Sequence, residues 1–255
     1  YCDLQNSSGL PFYSFEVFYR NITEWHEAGY QIATHAIGDA ANREVIDAYI
    51  QLITNYDMDD DHRLRIEHAQ IVNASYDIPR VGAYHILPSM QPTHGTSDMY
   101  FAGDRLNCTQ YGNGNRLTGA YAWQAMLNAS VPALPFGSDF PAVGVVNPFL
   151  GIYAAITRKD EEGNSPAGQG EPWTPYNRVS RYQSVKGYTY DAAFAAFQED
   201  KLGTISTDKF ADFIIIDRDI FECDEMDILD TTVIATYLGG DPVYINSTWE
   251  NIIDF

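Results

Sequence analysis

Residues 31–39 read QIATHAIGD: a short apolar run carries a histidine, His35, and gives way within four residues to Asp39, a residue type that opens helices. The same grammar returns in residues 63–70, RLRIEHAQ, where the run ends at His68, and in residues 132–141, PALPFGSDFP, where it ends at Asp139. In a barrel of parallel strands wrapped by helices, side chains at the carboxyl ends of several strands converge on one site. Three residues far apart in the chain therefore become candidates for one cluster. Neutral imidazoles and a carboxylate are a donor set for a divalent metal such as zinc, one ion or two, and a hydrolytic site also keeps a position open for water. His35 and His68 suit the ligand role. Asp139 suits the proton-accepting base and a further metal donor.

Outward from this stretch, apolar spacing predicts a helix over residues 15–28 closed by Gly29, a helix from Asp39 to about Asn55, and a strand ending at His68. A short helix over 75–84 leads to a third strand, 86–90, ending near Gln91. Residues 92–118, rich in Gly, Asn and Asp, read as a long loop of the kind that forms lids or binding sites. A helix over 119–128, a fourth strand over 133–138, a helix over 147–157, a second loop over 159–178 and a helix over 182–198 follow. From Gly203 the character changes to an Ile-rich strand and a hairpin about Gly239, Gly240 and Asp241. The expected fold class is α/β: residues 1–202 form half of a TIM-type (β/α)8 barrel, and residues 203–255 belong to a small β-sandwich.

The 255 residues are 45% hydrophobic and 14% aromatic, ample for a buried core, and no apolar run reaches the roughly 18 residues of a membrane span. A net charge of −20 repels nucleic acid and anionic membranes, which excludes both as partners. The first residue is Tyr1, without an initiator Met or an apolar leader, which reads as a processed or incomplete chain. N-x-S/T sequons at Asn6, Asn21, Asn73, Asn107, Asn128 and Asn246 predict a glycoprotein of the secretory pathway, secreted or extracellular. Asn73 and Asn128 fall beside element ends and are open to burial. Cys2, Cys108 and Cys223 form no metal-spaced pair, and an odd count in an oxidising compartment leaves one thiol free or bonded to another polypeptide.

THAIGDAA, RIEHAQ, SMQPTH followed by SD, AYAWQAML, FGSDFP, NPFLGIYAAITR and GTISTDKFADFIIID, in that order, resemble the metal-dependent amidohydrolase superfamily, specifically the branch that includes N-substituted formamide deformylases. The resemblance covers nearly the whole chain from about Gly9 onward. It implies that His35 and His68 correspond to the metal-binding histidines of strands five and six, and Asp139 to the aspartate of strand eight, in the carboxyl-terminal half of the barrel. The family also uses a His-x-His pair on strand one and a further ligand on strand four, and no His-x-His occurs among the six histidines here. The missing ligands are then expected from an amino-terminal half of the same precursor or from a companion chain. Alone, the open strand edges of a half barrel favour self-association.

Other residues carry less. His94, beyond the third strand, and Gln91 at its end are candidate substrate-binding groups; Asp98 and Arg116 in the following segment read better as solvated loop residues. Asp39 is a helix cap rather than a catalyst, and Glu67 points away from His68 by strand alternation. His26, His62 and His85 lie in a helix, a polar turn and a strand start. The expected function is hydrolysis of non-peptide carbon–nitrogen bonds, amide or formamide, in a small-molecule substrate through metal-activated water. A lactone or ester hydrolase would use the same site, and a catalytically silent binding or structural glycoprotein is the contrasting class.

Overall fold

The computed structural model describes residues 9–107, 116–143 and 146–248. Sequon Asn6 and cysteines Cys2 and Cys108 lie outside the described residues. Helix α1 (Phe15–Glu27) starts at Ser14, whose hydroxyl accepts from Val17 N, and closes before Gly29, at φ +83°. Strand β1 (Ala33–Ala36) leads into α2 (Asp39–Tyr56), β2 (Arg65–His68), α3 (Asp77–Ala83) and β3 (Leu87–Ser89). The three strands are parallel in the order β1-β2-β3, with His35 opposite Glu67 and Ala36 opposite His68. Parallel neighbours require crossovers, and α2 and α3 supply them.

The main core lies between this sheet and its helices: Ile46, Ala48, Tyr49 and Leu52 of α2 are buried together with Ile66 and Ile86. The Tyr49 hydroxyl lies 2.7 Å from both Thr34 Oγ1 and the Arg65 carbonyl, fastening α2 across β1 and β2. Below the sheet, Arg63 is 6% exposed and holds Glu199 (2.6 Å) and Asp61 (2.7 Å) while its guanidinium lies over the rings of Phe194 and Phe197. A buried cation is tolerable when it is paired and hydrogen-bonded in this way.

Several sequence expectations shift. Residues 92–106 are not a loop but helix α4 (Pro92–Leu106). Pro92 sits at the first turn, where its missing N–H costs nothing, and Met99 and Ala102 turn inward; two glycines and the polar residues between them hide the period. The following turn, Arg116–Gly119, is 3-10 helical, and α5 (Trp123–Asn128) starts four residues later than expected, at Trp123. Asp39 is the first residue of α2 and Gly38 is its cap; the Asp39 carboxylate accepts from Ala40 N (3.0 Å) and lies 3.2 Å from Arg116 Nε.

The segment 133–138 makes a single parallel bridge, Phe136 to Met90, rather than a full strand. Pro132 and Pro135 remove ladder donors, Leu134 N turns to the Asp191 carboxylate (3.1 Å), and Phe136 N turns to the Gly187 carbonyl (2.9 Å). Met90 N to Pro135 O (2.9 Å) and Gly137 N to Met90 O (3.1 Å) still fasten it beside β3. Helix α6 (Pro148–Thr157) is capped by the Asn147 side chain. The second loop contains a two-strand hairpin, β4 (Asn164–Ser165) and β5 (Gly168–Gln169). The last helical stretch breaks at Thr189 into α7 (Arg181–Tyr188) and α8 (Tyr190–Ala195). Strands β6 (Phe213–Ile216), β7 (Val233–Leu238) and β8 (Asp241–Ile245) form an antiparallel sheet, and the β7–β8 turn has Gly239 and Gly240 both at positive φ, as a two-residue hairpin requires.

Candidate metal centre

The carboxyl end of β2 delivers His68, the first turn of α4 delivers His94, and the segment beside β3 delivers Asp139. One ligand atom from each lies within 4.8 Å of the others, and His94 Nε2 is 4.0 Å from Asp139 Oδ2. His68 and Asp139 both hold positive φ, +79° and +62°, conformations that non-glycine residues adopt at a cost of about 1 kcal/mol or more and that cluster at functional sites.

The donor set fits a divalent cation. His68 Nδ1 donates to the buried Gln91 Oε1 at 2.8 Å, which leaves the lone pair on Nε2. His94 Nε2 is buried without a hydrogen-bond partner among the described residues, an orphaned polar atom that a metal would satisfy. Burial first, and His68 second, hold His94 below the ordinary imidazole range, so it stays a neutral donor. Phe140 N bonds the Ser138 hydroxyl (3.3 Å), so Ser138 caps the turn, and among the described residues no backbone N–H bonds the Asp139 side chain.

His35 is exposed, outside the tight trio, with its ring edge-on to His68 at 4.5 Å between centroids. His94, read from sequence as a substrate contact, stands among the candidate ligands, and Gln91 stands behind His68. Asp98 accepts from the Tyr121 hydroxyl at 2.6 Å, and Gln70 Nε2 reaches the same hydroxyl at 3.0 Å. Burial, with the Asp98 carboxylate, pushes the Tyr121 phenol far up, which keeps it a donor. His62 and His85 are occupied by backbone and Asp60 contacts, and His26 packs edge-on to Tyr56.

Asn42 is the positioning residue that the sequence reading passed over. It is fully buried, and its Nδ2 lies 3.0–3.3 Å from the carbonyls of Ala36, Ile37, Gly38 and Ile71, tying the end of β1 to the chain just past His68. Its signal was there: Asn42, Val45, Ile46 and Tyr49 share one face of α2, and a polar side chain on an apolar face needs a partner. Of the sequons in described residues, Asn73, Asn107 and Asn128 are exposed, while Asn21 and Asn246 are partly covered.

Replacing Tyr121 with Phe removes a donor from Asp98 and an acceptor from Gln70 and is expected to cost about 2 kcal/mol. A urea midpoint unchanged from the parent, at equal slope, would remove this network from the account of stability.

A parallel sheet and its flanking segments, with His68 at the end of β2, His94 in the first turn of α4 and Asp139 beside β3, bring two imidazoles and a carboxylate to one point and give the chain the build of an α/β metallohydrolase. The chain belongs to the amidohydrolase family, whose profile matches residues 2–244, within the metal-dependent amidohydrolase superfamily. It is 33% identical over 244 residues to Protein LONG AFTER FAR-RED 3 of Arabidopsis thaliana, covering 96% of this chain and 39% of that one. It is 25% identical over 233 residues to the N-substituted formamide deformylase of Arthrobacter pascens, covering 91% and 40%. An uncharacterised metal-dependent hydrolase from Pyrococcus furiosus superposes with a TM-score of 0.67 at 26% identity, covering 87% of this chain and 41% of that one. The chain thus spans about two fifths of the length of these relatives.

Proposed function

We propose that the protein hydrolyses carbon–nitrogen bonds other than peptide bonds, of the amide or formamide type, and that this chain contributes the carboxyl-terminal half of its (β/α)8 barrel and part of a β-sandwich. The observation that carries this reading is the convergence of His68, His94 and Asp139 within 4.8 Å. His68 and His94 would hold a divalent ion, zinc by donor type, with His35 beside them and further ligands from an amino-terminal half or companion chain. When bound, the ion supplies a Lewis acid that polarises the substrate carbonyl and acidifies water. Asp139 accepts a proton from the attacking water at its carboxylate and returns it to the nitrogen as the carbon–nitrogen bond breaks. Gln91 fixes the His68 ring so that its Nε2 faces the centre. The exposed sequons Asn73, Asn107 and Asn128 support a glycosylated protein of the secretory route.

The test is metal analysis of the full-length protein with a screen of matched amides, formamides, esters and lactones. Near-stoichiometric metal with amide or formamide turnover is the expected result. Turnover of esters or lactones alone would move the assignment to those substrates, and a folded, metal-free, inactive protein would make it a binding or structural glycoprotein.

A further inference from the structure

A cleft of about 230 Å³ opens beside His94, between α4 and α6. Leu150, Tyr153 and Ala154 form one wall, and His94, Thr96 and Ser97 the other. His94 belongs to both the cleft and the cluster, so a group lodged here lies one side chain from Asp139. The volume exceeds the roughly 150 Å³ of a cavity that admits benzene, and falls short of the roughly 300 Å³ at which pockets begin to enclose whole drug-sized ligands. It suits one substituent of a substrate rather than the whole of one.

Most of the polar groups around the cleft are engaged; among the exceptions are His94 Nε2, which faces the cluster, and the exposed Glu161 at the rim. Thr96 Oγ1 donates to the Thr93 carbonyl and Ser97 Oγ to the His94 carbonyl, both at 3.2 Å. The Tyr153 hydroxyl points to Met226 Sδ at 3.1 Å. At the rim, Asp160 takes the Tyr100 hydroxyl (3.0 Å) and Asn164 N (2.7 Å), and Lys159 Nζ lies 3.8 Å from Glu225. What remains to meet a ligand is mostly carbon: threonine methyls, Leu150, Ala154, Val143 and the Tyr153 ring.

We propose that this cleft receives the nitrogen-borne substituent of the substrate, an uncharged aliphatic group small enough to lodge in this volume, and that Leu150 sets its length. This rests on the reading of the cluster as a formamide- or amide-hydrolysing centre. An extra methylene that a hydrophobic pocket must accept or reject changes specificity by about tenfold or more.

The test uses the full-length protein with N-methyl-, N-butyl- and N-octylformamide. Leu150→Trp is expected to lower kcat/KM for N-butylformamide at least about tenfold relative to N-methylformamide, and Leu150→Ala to move the preference towards longer chains. Binding is read separately by saturation-transfer NMR of N-butylformamide on the full-length Asp139→Asn protein, with and without Leu150→Trp. Binding that Leu150→Trp abolishes supports the cleft even if no formamide is turned over, in which case the hydrolytic reading fails and the cleft stands. The proposal is overturned if, with far-UV circular dichroism intact, Leu150→Trp lowers all three substrates equally, or if N-butylformamide binds both NMR samples alike or neither.

Discussion

Substituting His68 with alanine in the full-length protein is expected to weaken divalent-metal binding by more than a hundredfold and to lower turnover by about a thousandfold or more. The argument begins at the ring. His68 offers Nε2 to the cluster because Nδ1 is committed to Gln91 at 2.8 Å, and its partner His94 is a neutral, buried imidazole with an unpaired nitrogen. Loss of an outer orienting group alone typically costs 10- to 100-fold in metal affinity, and loss of a ligand exceeds that. A bound cation contributes several kcal/mol to catalysis, and about 4 kcal/mol is a thousandfold in rate. His94→Ala should match His68→Ala, whereas Gln91→Ala, which only releases the His68 ring, should fall in the 10- to 100-fold range. The measurement is metal content by mass spectrometry after dialysis against a weak chelator, with circular dichroism to confirm folding. Wild-type metal content in both histidine variants would place the ion elsewhere.

The legible part of this architecture was the part written in apolar period and strand-end chemistry. Helix α2 and strand β2 follow their sequence patterns within a residue or two because burial on one face sets those patterns; α6, buried on nearly every side, follows as a continuous apolar run, and the terminal hairpin follows from Gly239 and Gly240. His68 and Asp139 were visible as polar residues terminating apolar runs. Helix α4 was not, since Gly95 and Gly103 interrupt its period; yet Gly95 is there to admit Trp123, whose ring carbon Cζ2 would stand 2.8 Å from an added Cβ. Hiding α4 also hid the placement of His94, which reaches the cluster only because the chain turns helical immediately after Gln91. The contact of Asn42 with the Ile71 carbonyl and of Tyr121 with Asp98 joins residues far apart in the chain, and partners of that kind leave no local period to read.

The same substitution at two glycines should act in opposite directions, and the larger effect bears on the site. An added Cβ at Gly119 would lie 1.6 Å from the Val72 carbonyl oxygen, 2.8 Å from its carbon and 3.2 Å from Ala74 N. All three are backbone atoms, so no side-chain rotation relieves the clash. The segments in question are antiparallel, held by Val72 N to Gly119 O (2.9 Å), Tyr121 N to Gln70 O (2.7 Å) and the Ile71–Ala120 bridge, and they suspend Tyr121 against Asp98. Overpacking of about 1–3 kcal/mol plus two strained hydrogen bonds of about 1 kcal/mol each predicts a loss of about 3–5 kcal/mol for Gly119→Ala. Gly103, by contrast, sits within α4 with nothing nearer than Pro166 Cβ at 3.9 Å. Gly103→Ala removes a helix-interior glycine without a clash and should gain about 1 kcal/mol. In thermal melts of the full-length protein the first should fall and the second rise. Equal shifts of one sign would mean that the 70–72 and 119–121 segments are not locked together as described, and that Tyr121 reaches Asp98 by some other support.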